Sequence, residues 1–159
     1  RIEAEIVFVL KEDLKGPFVT PWDVIRATAG VMPALEIVDS RIKDWKIKIQ
    51  DTVSDSASYA RVVTGGNQLV PLTELDLSMV PMASYKNGEL VYTACGAAVM
   101  NNPINSVVWL ANKMLAYGNP LQAGELILSG SFTPVFDFNP GDSVFVRFGP
   151  LGNVSLSGH

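Results

Sequence analysis

The sequence predicts an α+β fold, with a mixed, curled β-sheet and a few flanking helices. Three observations carry this. Short runs rich in Val, Ile and Phe, many of them alternating apolar with polar, recur along the whole chain. Two stretches carry helix start and stop signals. Strands and helices do not alternate strictly, which argues against a doubly wound parallel sheet.

The elements follow in order. Arg1-Ile2-Glu3-Ala4-Glu5-Ile6-Val7-Phe8-Val9-Leu10 reads as a strand, and Gly16-Pro17 closes the polar turn after it. Thr20-Pro21-Trp22-Asp23 starts a helix: Thr20 caps, Pro21 suits the first position and Asp23 completes a capping-box variant. This helix is expected to run through Ala29 and stop at Gly30. Pro33-Ala34-Leu35-Glu36-Ile37-Val38-Asp39 reads as the second strand. Trp45-Lys46-Ile47-Lys48-Ile49-Gln50 alternates, predicting a strand with Trp45, Ile47 and Ile49 inward. Residues 51–58, rich in Asp, Ser and Thr, read as a loop that turns the chain or lines a site. Ala60-Arg61-Val62-Val63-Thr64 is a further strand, ended by Gly65-Gly66. Asn87-Gly88 between two alternating runs predicts a tight hairpin. Gly96-Ala97-Ala98 lets backbones approach closely. Asn102-Pro103 opens the best helix, which Gly118 closes. The remainder is β again: residues 125–131, Val135-Phe136, and residues 143–148 after the Pro140-Gly141-Asp142 turn.

The chain has 159 residues, 48% of them hydrophobic, which suffices for one domain with a substantial core. A net charge of −4 provides no basic footprint for nucleic acid. No apolar run is long enough for a membrane span, and no signal peptide is visible. A single cysteine, Cys95, excludes an internal disulfide framework and points to a reducing, cytoplasmic setting. His159 is the sole histidine; at the terminus it reads as a tag remnant, which disfavours Ser–His or Cys–His nucleophilic catalysis. The chain begins at Arg1 within a strand pattern and so reads as part of a longer protein.

Chemistry enters through the acids. Glu3 and Glu5 share one face of a strand, because side chains alternate. Two neighbouring carboxylates repel unless something positive lies between them, and hard divalent cations prefer oxygen ligands. Glu36, between Leu35 and Ile37, is costly to bury unless paired or ligating. Glu3, Glu5 and Glu36 are therefore the candidate metal site. The alternative is a solvated outer face opposite lysines. Arg41 could grip a substrate carboxylate or pair Asp39 or Asp44 structurally; the structural pairing is favoured.

Several segments together resemble the fumarylacetoacetate hydrolase superfamily, in its 2-keto-4-pentenoate hydratase and 4-oxalocrotonate decarboxylase branch. They are Glu3-Ala4-Glu5-Ile6, Pro33-Ala34-Leu35-Glu36-Ile37-Val38-Asp39-Ser40-Arg41, Asp44-Trp45-Lys46-Ile47, Asp51-Thr52-Val53, Val108-Trp109-Leu110-Ala111-Asn112, and Ala123-Gly124-Glu125 leading to Leu128-Ser129-Gly130-Ser131. The ending Phe148-Gly149-Pro150-Leu151-Gly152-Asn153-Val154 also fits. The resemblance implies a β-roll, barrel-like fold in a single catalytic-type domain over 1–159. It implies Mg²⁺ or Mn²⁺ on Glu3, Glu5 and Glu36, and it places substrate-binding serines on Ser58, as a catalytic group, and on Ser131. It further implies hydration of a 2-hydroxy-2,4-dienoate to a 4-hydroxy-2-oxo acid in aromatic meta-cleavage catabolism, a homo-oligomer, and association with a pathway partner enzyme. A decarboxylase, or a non-catalytic fragment, is the alternative. The sequence departs from the family at Ser56, at Ala94-Cys95 and at Met100-Asn101-Asn102. The family also carries an upstream region of roughly a hundred residues, one small domain, with a lysine and an aspartate for proton transfer. Nothing in this chain corresponds to it.

Overall fold

A computed structural model describes residues 1–66 and 68–158; His159 lies outside the described residues. Among the described residues, eight strands form two four-stranded sheets. The first, in the order β3-β2-β1-β6, is built from β1 (Ile2–Leu10), β2 (Thr28–Val38), β3 (Tyr59–Thr64) and β6 (Leu126–Leu128). The second, in the order β5-β4-β7-β8, comprises β4 (Pro81–Lys86), β5 (Glu89–Cys95), β7 (Ser143–Arg147) and β8 (Asn153–Ser157). Every pair of these strands is antiparallel. The expected α+β class with a curled sheet and few helices holds, but the strands of the described residues pair antiparallel throughout and not in the mixed arrangement expected, because neighbouring strands are joined without parallel crossovers.

The core lies between the sheets and under α3 (Pro103–Leu115). Phe8, Phe148, Ile6, Leu35, Val107 and Val144 are fully buried, and Phe132 meets Phe148 edge to face with ring centres 5.4 Å apart. Asn102 caps α3 by accepting from the Ile104 N–H at 3.0 Å, with Pro103 at the first position. Asn87 and Gly88 both have positive φ, as the predicted hairpin requires. The two sheets meet where β3 ends. The Gly66 N–H donates to the Asn153 carbonyl at 2.9 Å, and a side chain at Gly65 would run into that same carbonyl.

The structure corrects several expectations. The first helix, α1 (Pro21–Ala27), has the capping box at Thr20 and Asp23 but stops before Ala29 and Gly30. From Thr28 onward the backbone pairs with β1, and this tertiary pairing takes over the residues the helix would have used. The Trp45–Gln50 alternation does not form a strand. Asp44 and Trp45 have positive φ, Ile49 is 71% exposed, and α2 (Ile49–Ser54) occupies part of the expected loop. The Asp51 carboxylate accepts the Lys48 N–H at 2.9 Å, so a local cap decides this segment in the absence of a strand neighbour. β6 is shorter than expected, because Gly130, at φ 94°, leaves the ladder. Val135-Phe136 reduces to one bridge with Ile2. β8 was not anticipated, although Val154 and Leu156 alternate inward within it.

Candidate metal centre

The register of β1 against β2 builds the site. Glu3 lies directly opposite Glu36, and Glu5 follows two residues along on the same face. One carboxylate oxygen from each of Glu3, Glu5 and Glu36 lies within 4.8 Å of the others. Glu5 is 2% exposed, and Glu3 and Glu36 are half-buried. Among the described residues no ion pair involves any of them. The solvated face opposite lysines is therefore not what forms.

Electrostatics follow from this crowding. Burial pushes the Glu5 carboxyl up to about 8; the Gly130 N–H opposes the rise, while Glu36 and Glu3 add to it. Burial also raises Glu3. Glu36 is raised first by burial and then by Glu3, and a hydrogen bond with Glu5 works the other way. Burial and the hydrogen bond between Glu5 and Glu36 favour a proton on the pair when no cation is present; three ionised carboxylates this close need an added positive charge. The donor set consists of oxygen atoms alone, which fits a hard divalent ion.

The turn after β6 completes the site. The Gly130 N–H donates to Glu5 Oε2 at 2.7 Å. Ser129, itself buried, accepts the Ile6 N–H at 3.1 Å and donates to the Gly130 carbonyl at 3.0 Å, fixing the turn to β1. Sequence reasoning missed Gly130 and Ser129. The signal was a glycine at a strand end, where positive φ frees an N–H to point away from the ladder.

The other predicted residues are placed as follows. Ser131 adjoins Gly130, and its hydroxyl donates to the Thr133 carbonyl at 2.7 Å. Ser58 is buried with φ 62°; its Oγ is 3.4 Å from Asp55 Oδ2, and its carbonyl accepts the Asp39 N–H at 2.8 Å. Arg41 has the structural role, but with a different partner. Its Nε meets Asp55 Oδ1 at 2.8 Å, and its guanidinium donates to the Asp39 and Tyr59 carbonyls. Asp55 was missed because it is distant along the chain. Arg1, just ahead of β1, is turned to Asp137 at 3.0 Å and lies over the Trp45 ring. Among the described residues no helix is long and apolar enough to cross a membrane.

Known proteins share this arrangement of strands. A family model described as fumarylacetoacetate (FAA) hydrolase C-terminal matches residues 1–156. A 2-hydroxyhexa-2,4-dienoate hydratase of Comamonas testosteroni is 47% identical over 156 residues, covering 98% of this chain and 59% of the relative. A 2-keto-4-pentenoate hydratase of Paraburkholderia xenovorans (strain LB400) is 47% identical over 154 residues, covering 97% of this chain and 57% of the relative. The structure of 4-oxalocrotonate decarboxylase from Pseudomonas putida G7, complexed with magnesium and adipate, superposes with a TM-score of 0.94 at 40% identity, covering 99% of this chain and 60% of that one. The same decarboxylase has also been solved with calcium and acetate. The chain thus spans about three-fifths of the length of the relatives it matches.

Proposed function

The chain belongs to the fumarylacetoacetate hydrolase family, and on that footing we propose that the whole protein is a metal-dependent lyase that hydrates a 2-hydroxy-2,4-dienoate. The product is a 4-hydroxy-2-oxo acid, formed in aromatic meta-cleavage catabolism in the cytoplasm. The observation that supports this best is the convergence of Glu3, Glu5 and Glu36 with no ion-pair partner among the described residues, in a chain 47% identical to dienoate hydratases. A second reading, decarboxylation of a vinylogous oxo-diacid, is favoured by the likeness to 4-oxalocrotonate decarboxylase at 40% identity.

Glu3, Glu5 and Glu36 would hold Mg²⁺ or Mn²⁺. When bound, such an ion supplies an electrophile that draws electron density from the 2-oxygen of a chelating oxo acid. The Gly130 N–H occupies Oε2 of Glu5 and leaves the other oxygen for ligation. Holding the ion would require Glu5 and Glu36 to be ionised, so binding would compete with a proton on that pair. Ser131 has committed its proton to the Thr133 carbonyl and one lone pair to the Thr133 N–H, and retains a lone pair for a water or substrate hydroxyl. The Ser58 hydroxyl makes a long contact with Asp55, which the substrate carboxylate would replace. In the hydration, the dienol O–H proton leaves and C5 gains one, giving an α,β-unsaturated ketone; water then adds hydroxyl at C4 and a proton at C3. Delivery of these protons is assigned to the upstream lysine and aspartate that the family resemblance implies. A homo-oligomer that associates with a pathway enzyme belongs to the same proposal.

The test is to incubate the purified full-length protein with Mg²⁺ and 2-hydroxypenta-2,4-dienoate, and separately with 4-oxalocrotonate. A 4-hydroxy-2-oxo acid from the first supports the hydratase. CO₂ from the second, without hydration of the first, supports the decarboxylase. Neither product sinks both readings.

A further inference from the structure

We propose that Arg41 is a positioning residue for Ser58: its side chain ties together the two ends of a left-handed turn and so keeps the Ser58 hydroxyl where a ligand carboxylate meets it. The proposal rests on the reading of Ser58 as substrate-binding given above.

The turn is Ser56-Ala57-Ser58, at φ 50°, 55° and 62°. Among the described residues it is the one run of three non-glycine residues with positive φ. Residues with a Cβ enter this region at a cost, and those that do so routinely enter it singly. Such a run persists only where its surroundings hold it. Packing does not hold Ser56 and Ala57, which are exposed.

Arg41 grips the turn from both ends. Ahead of it, Asp55 Oδ1 meets Arg41 Nε at 2.8 Å, and Asp55 Oδ2 accepts the Arg41 N–H at 3.1 Å. Behind it, the Tyr59 carbonyl accepts from Arg41 Nη1 and Nη2 at 3.0 and 2.9 Å. One planar guanidinium therefore fixes the residues on either side of the strained run. The Asp55 side chain is 9% exposed, so solvent screens this pair less than a surface pair. Arg41 Nη1 also donates to the Asp39 carbonyl at 2.8 Å. Asp39 links the turn to the strand that carries Glu36: it directly follows β2, and its N–H donates to the Ser58 carbonyl at 2.8 Å. Ser58 is buried, and its hydroxyl lies 3.4 Å from an Asp55 oxygen already taken by the Arg41 N–H. The hydroxyl is thus fixed in place but weakly engaged, which suits a group that must turn to an incoming carboxylate.

The experiment is calorimetric titration of oxalate, a chelating dicarboxylate, into Mn²⁺-loaded full-length protein, with Mn²⁺ affinity measured alongside. Ser58→Ala should weaken oxalate binding by at least about tenfold, the loss of one hydrogen bond to a charged group. Arg41→Gln and Asp55→Asn should each weaken it by about three- to tenfold, with Mn²⁺ affinity unchanged. Rescue separates positioning from a merely structural role. Glycine adopts positive φ without a Cβ penalty, so Ala57→Gly added to Arg41→Gln should recover most of the lost oxalate affinity, and Ala57→Gly alone should match wild type. Three results would overturn the proposal. These are wild-type oxalate affinity in Arg41→Gln, a loss there that Ala57→Gly does not recover, as direct contact of Arg41 with oxalate would give, or a parallel loss of Mn²⁺ affinity. Each leaves the Ser58 reading standing, provided Ser58→Ala loses oxalate affinity. Wild-type affinity in Ser58→Ala, or no oxalate binding by wild type, would overturn that reading and this inference with it.

Discussion

Replacing Glu5 by Gln should make the metal-free protein more stable at pH 8 and abolish its response to metal. In the folded chain the Glu5 carboxyl holds its proton up to about 8, whereas 4.5 is its ordinary value. Between those limits the folded state binds a proton that the unfolded state releases. Stability from this group is therefore fully present below 4.5 and is lost as pH rises through about 8. At roughly 1.4 kcal/mol per pH unit the interval amounts to at most about 5 kcal/mol. Sharing the proton with Glu36 spreads the effect over the pair, leaving about 2–3 kcal/mol for Glu5 alone. Gln is neutral, its carbonyl can still accept the Gly130 N–H, and its amide can donate to Glu36. Thermal melts of metal-stripped full-length protein at pH 5 and pH 8 would read this. Wild type should melt lower at pH 8 and recover on adding Mg²⁺, by roughly 2.7 kcal/mol at a hundredfold excess over Kd. Glu5→Gln should melt about 5–10 °C above metal-free wild type at pH 8, with a shallower pH dependence and no gain from Mg²⁺. A Glu5→Gln protein less stable than wild type at pH 8, or one stabilised equally by Mg²⁺, refutes the reasoning.

Metal affinity itself should climb between pH 6 and 8, because the cation must displace the proton held by Glu5 and Glu36; calorimetry in buffers of different ionisation enthalpy would count the protons released. Glu3→Gln and Glu36→Gln, made separately, should each weaken Mg²⁺ or Mn²⁺ binding by at least about tenfold, and unchanged titrations would show that the three acids do not act as one site. Asp55→Ala should destabilise by about 1–3 kcal/mol in urea melts, since it strips partners from Arg41 and Ser58; Arg41→Ala should lose less, because its side chain is 54% exposed. Gly65→Ala should destabilise by at least about 1–3 kcal/mol in urea melts, as its methyl would press into β8.

Elements whose signals are local were legible along the chain. Thr20-Pro21-Trp22-Asp23 started α1, Asn102-Pro103 started α3, and Asn87-Gly88 turned β4 into β5, because caps and tight turns are written within a few residues. Alternation along β1 was also enough to put Glu3 and Glu5 on one face. Tertiary structure alone decided the rest. Strand pairing ended α1 at Ala27, and lack of a strand neighbour let an Asp51 cap turn an alternating run into α2. It also brought Asp55 to Arg41, and Gly130 to Glu5 across 125 positions of chain. The physical reason is that an alternating pattern states which side chains share a face, whereas register against a neighbouring strand states which faces meet. The pairing of Glu3 with Glu36, on which the carboxylate cluster depends, is a matter of register.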